Sequence, residues 1–283
     1  MENASLASNR LPLRRSRLLS LLRAGRPVPC MKLNTVDPRV VEIAGLAGFP
    51  VVWLCNEHVP NDWLNLEHQI RAAKLHDVDT IVRVSKGSYS DYVKPLEADA
   101  TGLMVPHVTT AEEARQIVAW TRFHPLGARP IDGGNADGQY CRVATADYLA
   151  HGNREKFLIL QIESPEALEN VEEICSLPGF DGILFGPGDF SHRIGKAGQL
   201  DAPEVVAARK RVAAATRQHG KFAMTAGLIA PLATLVEEGY RVINIGADVV
   251  ALTGYVKQRL ELVRGLVAEL PTDVRPPVRS PYA

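Results

Sequence analysis

Polar residues able to do chemistry close several apolar runs of this chain. VVWLC (51–55) is followed by Asn56, Glu57 and His58, and TIVRV carries Arg83. FLILQIE ends in Gln161 and Glu163, ILFGPGD ends in Asp189, and CMKLN carries Lys32 and Asn34. Two carboxylates, Glu163 and Asp189, with room left for water, suit a hard divalent cation such as Mg2+ or Mn2+. The planar fork of Arg83 matches a carboxylate. His58 offers an imidazole, the side chain best suited to act as a general base near neutral pH. The glycines around Asp189, Gly186 and Gly188, let backbone amides approach a small anion. Gathered in one mouth, these groups suit a 2-oxo acid whose enolate a metal stabilises.

Each residue also has a plainer reading. Glu163 alone is a carboxylate beside a helix start, Asp189 a turn residue, and Arg83 half of a buried ion pair. His58 alone is a structural histidine. His107, after Pro106, reads as a supporting or packing residue, and His192 as a neighbour of the mouth. Convergence at the carboxyl ends of strands is what argues for a site, because that is where parallel α/β barrels carry their chemistry.

The elements that must position these residues alternate. Strands are expected at 28–34, 51–56, 79–85, 102–108, 156–163, 182–189, 221–227 and 242–248, with amphipathic helical stretches between them. Ser164 would cap one helix, with Pro165 in its first position and Glu166 in its first turn. Strands apolar on both faces imply a parallel sheet covered by helices, and eight of them close a (β/α)8 TIM barrel. A doubly wound open sheet would carry a GxGxxG phosphate turn, and none is present.

The organisation is an N-terminal basic arm and short helix over 1–27, a barrel over 28–270 and a proline-rich tail over 271–283. A long insertion, 124–155, interrupts the alternation. In the arm, Arg10, Arg14, Arg15, Arg17, Arg23 and Arg26 surround LLSLLR. A transit peptide is one reading; a surface helix from Ser16 to Ala24, closed by Gly25 and stopped by Pro27, explains the stretch better.

Composition sets the outer bounds. The 283 residues are 46% hydrophobic and 23% charged, enough for a sizeable core. Lys+Arg and Asp+Glu both total 32, so no net charge draws the chain to nucleic acid or an anionic membrane. No run of 18 apolar residues exists to span a bilayer. Cys30, Cys55, Cys141 and Cys175 show no metal-ligand spacing and read as free thiols in a reducing, cytoplasmic setting.

Four segments together, GLAGFPVVWLCNEHVPND (45–62), LMVPHVTTAEEARQIVAWTRF (103–123), QIE (161–163) and GFDGILFGPGDFS (179–191), resemble the HpcH/HpaI aldolases, the 4-hydroxy-2-oxoheptanedioate aldolase family. The likeness runs in order from residue 28 to about 268. It implies a class II, metal-dependent pyruvate aldolase on a barrel of the phosphoenolpyruvate/pyruvate type. It also implies a last helix exchanged between subunits and a homo-hexamer. By matching positions, Glu163 and Asp189 would hold Mg2+ or Mn2+, with Co2+ as an alternative. Arg83 would bind pyruvate, Gly188 would offer a backbone amide to the substrate carboxylate, and Gln161 would line the substrate. His58 would be the acid/base residue, with Glu57 supporting it. Glu97 stands where the family carries an aspartate that supports the site from behind. The substrates implied are a small 2-oxo acid and an aldehyde.

One departure lies at the second strand. The family carries aspartate where this chain has Cys55, and that aspartate would orient the histidine. An ordinary thiol is a weak hydrogen-bond acceptor. A cysteine nucleophile is the sharper reading of Cys55, against a buried small hydrophobe. A second departure is Arg129-Pro130 with DGGNADGQY, in a loop that the resemblance sets beside the aldehyde. Two other functions follow from these features: a catalytically weakened 2-oxo-acid-binding barrel, or a Schiff-base aldolase using Lys32.

Overall fold

All eight apolar runs form strands in the computed structural model, which describes residues 13–225 and 230–269. They are β1 (Val28–Leu33), β2 (Val51–Cys55), β3 (Asp79–Arg83), β4 (Gly102–Val105), β5 (Phe157–Ile162), β6 (Gly182–Phe185), β7 (Phe222–Thr225) and β8 (Tyr240–Ala247). Each pairs in parallel with the next in sequence, and β8 pairs back onto β1, closing a (β/α)8 barrel.

Side chains alternate across the barrel wall. Val28, Cys30, Val51, Trp53, Ile81, Met104, Phe157, Ile159, Leu184 and Met224 pack together inside it. Their neighbours Leu33, Val52, Leu54, Val82, Leu103, Leu158, Leu160 and Ile183 pack outward beneath the helices. Both faces are therefore buried, which is why the runs read as continuously apolar. Each large side chain so buried contributes about 1.5–3 kcal/mol. Packing inside the barrel is close: a Cβ at Gly102 would lie 1.9 Å from the Phe157 ring.

The helices are α1 (Arg17–Arg23), α2 (Pro38–Leu46), α3 (Trp63–Leu75), α4 (Tyr89–Glu97), α5 (Ala111–Thr121) and α6 (Thr145–Glu155), then α7 (Pro165–Glu169), α8 (Val171–Ser176), α9 (Pro187–Arg193), α10 (Pro203–Gln218), α11 (Leu232–Glu238) and α12 (Asp248–Glu269). Ser164 caps α7 by accepting from the Ala167 backbone N–H, with Pro165 in the first turn. The single helix expected to follow Ser164 is two. The break falls at Asn170, whose side chain donates to the Thr109 carbonyl at 2.8 Å. The sixth strand stops at Phe185 rather than Asp189, because Pro187 opens α9.

The short N-terminal helix seals the amino end of the barrel. Ser16 caps α1, and Asp79 at the start of β3 accepts from the Leu18 backbone N–H at 2.8 Å and from the Ser16 hydroxyl at 2.7 Å. Leu18 and Leu19 join the inner apolar cluster. Arg10, within the basic arm, lies outside the described residues, as do 226–227 of the seventh expected strand and the tail 271–283.

The insertion also lies at the amino end, not beside the mouth. Strands run toward the mouth and helices return, so a loop between α5 and β5 emerges at the far end. Its anchor is a buried pair, Arg129 to Asp137 at 2.8 Å, to which the Tyr148 hydroxyl adds a hydrogen bond of 2.9 Å. A cavity of about 690 Å3 there is lined by Arg14, Lys74, Asp99, Asp137, His151 and Lys156, among others.

No described helix is long and apolar enough to cross a membrane. One apolar face is nevertheless uncovered: Val250, Leu252, Val256, Val263 and Leu266 of α12 are each more than half exposed. So are Ile43 and Leu46 of α2.

Candidate active site

Above Asp79, which holds α1, the inward-facing residues of β3 and its neighbours turn from apolar to polar in the last layer. The last inward residues are Lys32 of β1, Cys55 of β2, Arg83 of β3 and Gln161 of β5, and the turns beyond them add Glu57, His58, His107, Glu163 and Asp189. Lys32 and Arg83 both lie over the Trp53 indole, with Nζ 5.3 Å and Cζ 4.7 Å from its ring centre. The buried Trp53 thus floors the mouth.

Arg83 is held on two edges. Cys55 is its register partner across β2 and β3, and Nη2 donates to Cys55 Sγ at 3.1 Å. Its Nε lies 3.0 Å from Glu57 Oε2, an ion pair too bent to count as a hydrogen bond. Burial pushes the Cys55 thiol up, but the Arg83 charge and hydrogen bond, with the Glu57 and His58 backbone N–H groups, bring it below the ordinary thiol range. The sulfur therefore partners Arg83, not His58.

Glu57 is the hub of the mouth. Besides Arg83 it meets His58, with Nε2 3.4 Å from Oε2, and His107, with Nε2 3.2 Å from Oε1. His58 is thus given a carboxylate neighbour by Glu57, and its side chain is 58% exposed, open to a substrate. Asp62, the other carboxylate nearby in sequence, instead caps α3 by accepting from the Asn65 backbone N–H at 2.8 Å.

Glu163 is 1% exposed. Its Oε1 accepts from the His107 backbone N–H at 2.8 Å and lies 2.8 Å from His107 Nδ1, while Oε2 takes a very short hydrogen bond from Gln161 Nε2. Burial raises its carboxyl above the usual range; the Asp189 charge adds to this and His107 opposes it. Asp189 and Gly188 are exposed in the first turn of α9, where the Gly188 carbonyl accepts from the Ser191 hydroxyl at 2.7 Å. His192 is exposed further along that helix.

Two positions stand apart from expectation. Glu97 ends α4 at the amino end of the barrel, near Arg129, Asp137 and Asp132, so within one chain it does not back the mouth. His107, expected only to support or pack, touches both Glu57 and Glu163. Its backbone φ of +54° gave no signal in the sequence, since no glycine marks the turn.

Lys32 has no ion pair or hydrogen bond to a described residue. Burial, and then repulsion from Arg83, lowers its ammonium pKa.

Among the described residues, no three His, Cys, Asp or Glu side chains are grouped to hold a metal. The donors at this mouth include oxygens of Glu163, Asp189 and Gln161. Glu163 and Asp189 repel each other, and the buried Gln161 Oε1 has no hydrogen-bond partner. A hard divalent cation fits two such carboxylates, with water or substrate oxygens completing its shell.

A family model described as HpcH/HpaI aldolase/citrate lyase matches residues 31–253. The 5-keto-4-deoxy-D-glucarate aldolase of Klebsiella pneumoniae is 33% identical over 216 residues, 75% of this chain and 82% of that protein. A 2-keto-3-deoxy-L-rhamnonate aldolase of the same organism is 31% identical over 237 residues, 82% of this chain and 87% of that one. Among solved structures, the HpcH/HpaI aldolase of Desulfitobacterium hafniense superposes with a TM-score of 0.82 at 28% identity, covering 92% of this chain and 99% of its own.

Proposed function

The chain belongs to the HpcH/HpaI aldolase/citrate lyase family, and on that premise we propose that it reversibly cleaves a 4-hydroxy-2-oxo acid to pyruvate, or a related 2-oxo acid, and an aldehyde. It is a carbon–carbon lyase of the aldolase type. The observation that carries the site reading is Arg83, fixed between Cys55 and Glu57 over Trp53, in the same mouth as the Glu163 and Asp189 carboxylates.

Arg83 takes the substrate carboxylate through its remaining N–H groups. The Gly188 backbone amide assists from the first turn of α9, and Gln161 lines the substrate. Glu163 and Asp189 would hold Mg2+ or Mn2+, which would supply positive charge against the enolate. His58, backed by Glu57, removes the C4 hydroxyl proton. The C3–C4 bond then breaks, its electron pair passing to C3 as the pyruvate enolate while the aldehyde leaves. Protonation at C3 completes cleavage, and the aldol direction reverses each step.

The test is exchange of the pyruvate methyl protons with deuterium, followed with Mg2+ or Mn2+, together with pyruvate release from 4-hydroxy-2-oxo acids. Exchange that disappears on chelation supports the reading. Folded protein that binds pyruvate yet shows no exchange with either ion would leave a weakened oxo-acid-binding barrel instead. The position of Lys32 favours a second reading, because a half-buried amine beside another cation is suited to Schiff-base chemistry. Borohydride trapping of pyruvate on Lys32 in the presence of chelator would establish it, and no adduct would end it.

A cytoplasmic, homo-oligomeric protein is part of the same proposal. The four cysteines are free. The uncovered apolar residues of α12 and α2 are what an exchanged last helix would bury. Sedimentation of the full chain reads the state, a hexamer being expected and a monomer overturning it.

A further inference from the structure

His107 carries contacts that the proposed chemistry does not use. It follows Pro106 in the turn after β4, in the left-handed backbone region that a non-glycine residue enters only at a cost. Four contacts hold it there. Its backbone N–H and its Nδ1 both meet Glu163 Oε1 at 2.8 Å. Its Nε2 lies 3.2 Å from Glu57 Oε1, and its carbonyl accepts from Lys86 Nζ at 2.7 Å. Lys86 is itself tethered to Glu113 at 2.6 Å. The ring is 36% exposed, so filling the core is not its purpose.

These contacts have two consequences. His107 meets Glu163 Oε1 twice, its backbone N–H donating a hydrogen bond and its ring standing beside the same oxygen. That side of Glu163 is held, and Oε2 keeps the lone pair not taken by Gln161. On its other side the ring lies beside Glu57, which forms an ion pair with Arg83 and neighbours His58. One side chain therefore links the carboxylate assigned to the cation with the guanidinium assigned to the oxo acid.

We infer that His107 is a positioning residue that fixes Glu163 for the divalent cation and, through Glu57, sets Arg83 for the 2-oxo acid. This rests on the reading of Glu163 and Arg83 given above. In the strained backbone, N–H and ring both lie against the same oxygen.

His107→Gly removes the ring and relieves the strain, so the variant should fold as well as wild type or better. A merely structural histidine would leave a less stable protein. Calorimetry with Mn2+ should show roughly ten- to a hundredfold weaker binding, the usual effect of losing a partner that orients a metal ligand. The KM for pyruvate in deuterium exchange should rise alongside it. His107→Asn tolerates the same backbone and offers a donor to Glu163 but falls short of Glu57. It should recover much of the Mn2+ affinity and leave the pyruvate KM raised. His107→Gly that binds Mn2+ and pyruvate like wild type overturns the inference while leaving the aldolase reading intact. Mn2+ affinity that falls only in step with a lowered melting temperature overturns it too. Wild type that binds no Mn2+ overturns the underlying reading, and the inference with it.

Discussion

Gly186→Ala tests the cation site through one added methyl group. The backbone at Gly186, φ −94° and ψ 86°, is open to any residue, so the effect is steric. The new Cβ would lie 2.7 Å from Glu163 Cβ, 2.8 Å from Oε2 and 3.3 Å from Gln161 Nε2. Ordinary contact begins at 3.4 Å, so Glu163 must withdraw by about 0.7 Å. It cannot do so freely, because its far oxygen accepts from the His107 backbone N–H and has the ring beside it. Overpacking of this kind costs about 1–3 kcal/mol. Losing a hydrogen bond to a charged group costs a further ~1.5–3 kcal/mol. If half of that falls on the carboxylate geometry, Mn2+ affinity drops roughly ten- to a hundredfold, since ~1.4 kcal/mol is a factor of ten. Calorimetric Mn2+ titration and the rate of pyruvate proton exchange should fall together, with a melting temperature lowered by a few degrees. Mn2+ affinity within twofold of wild type would refute the placement of Glu163 as a cation ligand.

Cys55→Ala should raise the pyruvate KM roughly tenfold or more, because Arg83 Nη2 loses its acceptor, while Cys55→Asp should not. Steady-state proton exchange measures this, and a fall in kcat at unchanged KM would place Cys55 with His58 instead. The lowered Cys55 thiol pKa adds stability at high pH that is lost as pH falls through its folded value. The buried His151 behaves differently. Burial, then repulsion from Lys156, lowers its pKa to about 4, so the unfolded chain takes up a proton that the fold refuses. Stability should therefore decline as pH falls from the ordinary imidazole value toward about 4, by ~1–2 kcal/mol after allowing for solvent. Urea unfolding across that range should show a flatter acid limb in His151→Gln, and an unchanged limb would count against the buried neutral imidazole.

The barrel was legible because each strand is buried on both faces, and a strand's parity settles which residues point inward. Parity delivers Lys32, Cys55, Arg83 and Gln161 to the last inner layer without any knowledge of their partners. Partners depend on register and on turns. Cys55 stands opposite Arg83 because β2 and β3 align that way, which no motif records. His107 reaches Glu163 through a left-handed backbone that Pro-His-Val does not announce. Chain direction was legible but outweighed by resemblance: residues between a helix and the next strand belong to the amino end, which places both Glu97 and the 124–144 loop away from the mouth of their own chain. The same geometry changes what a cysteine at position 55 means. An aspartate missing beside His58 would impair proton transfer, but Glu57 already neighbours His58, at 3.4 Å. What the sulfur meets is the edge of Arg83, the residue proposed to grip the oxo acid. Substituting aspartate there should therefore act on substrate recognition, leaving to Glu57 and His58 the step that breaks the carbon–carbon bond.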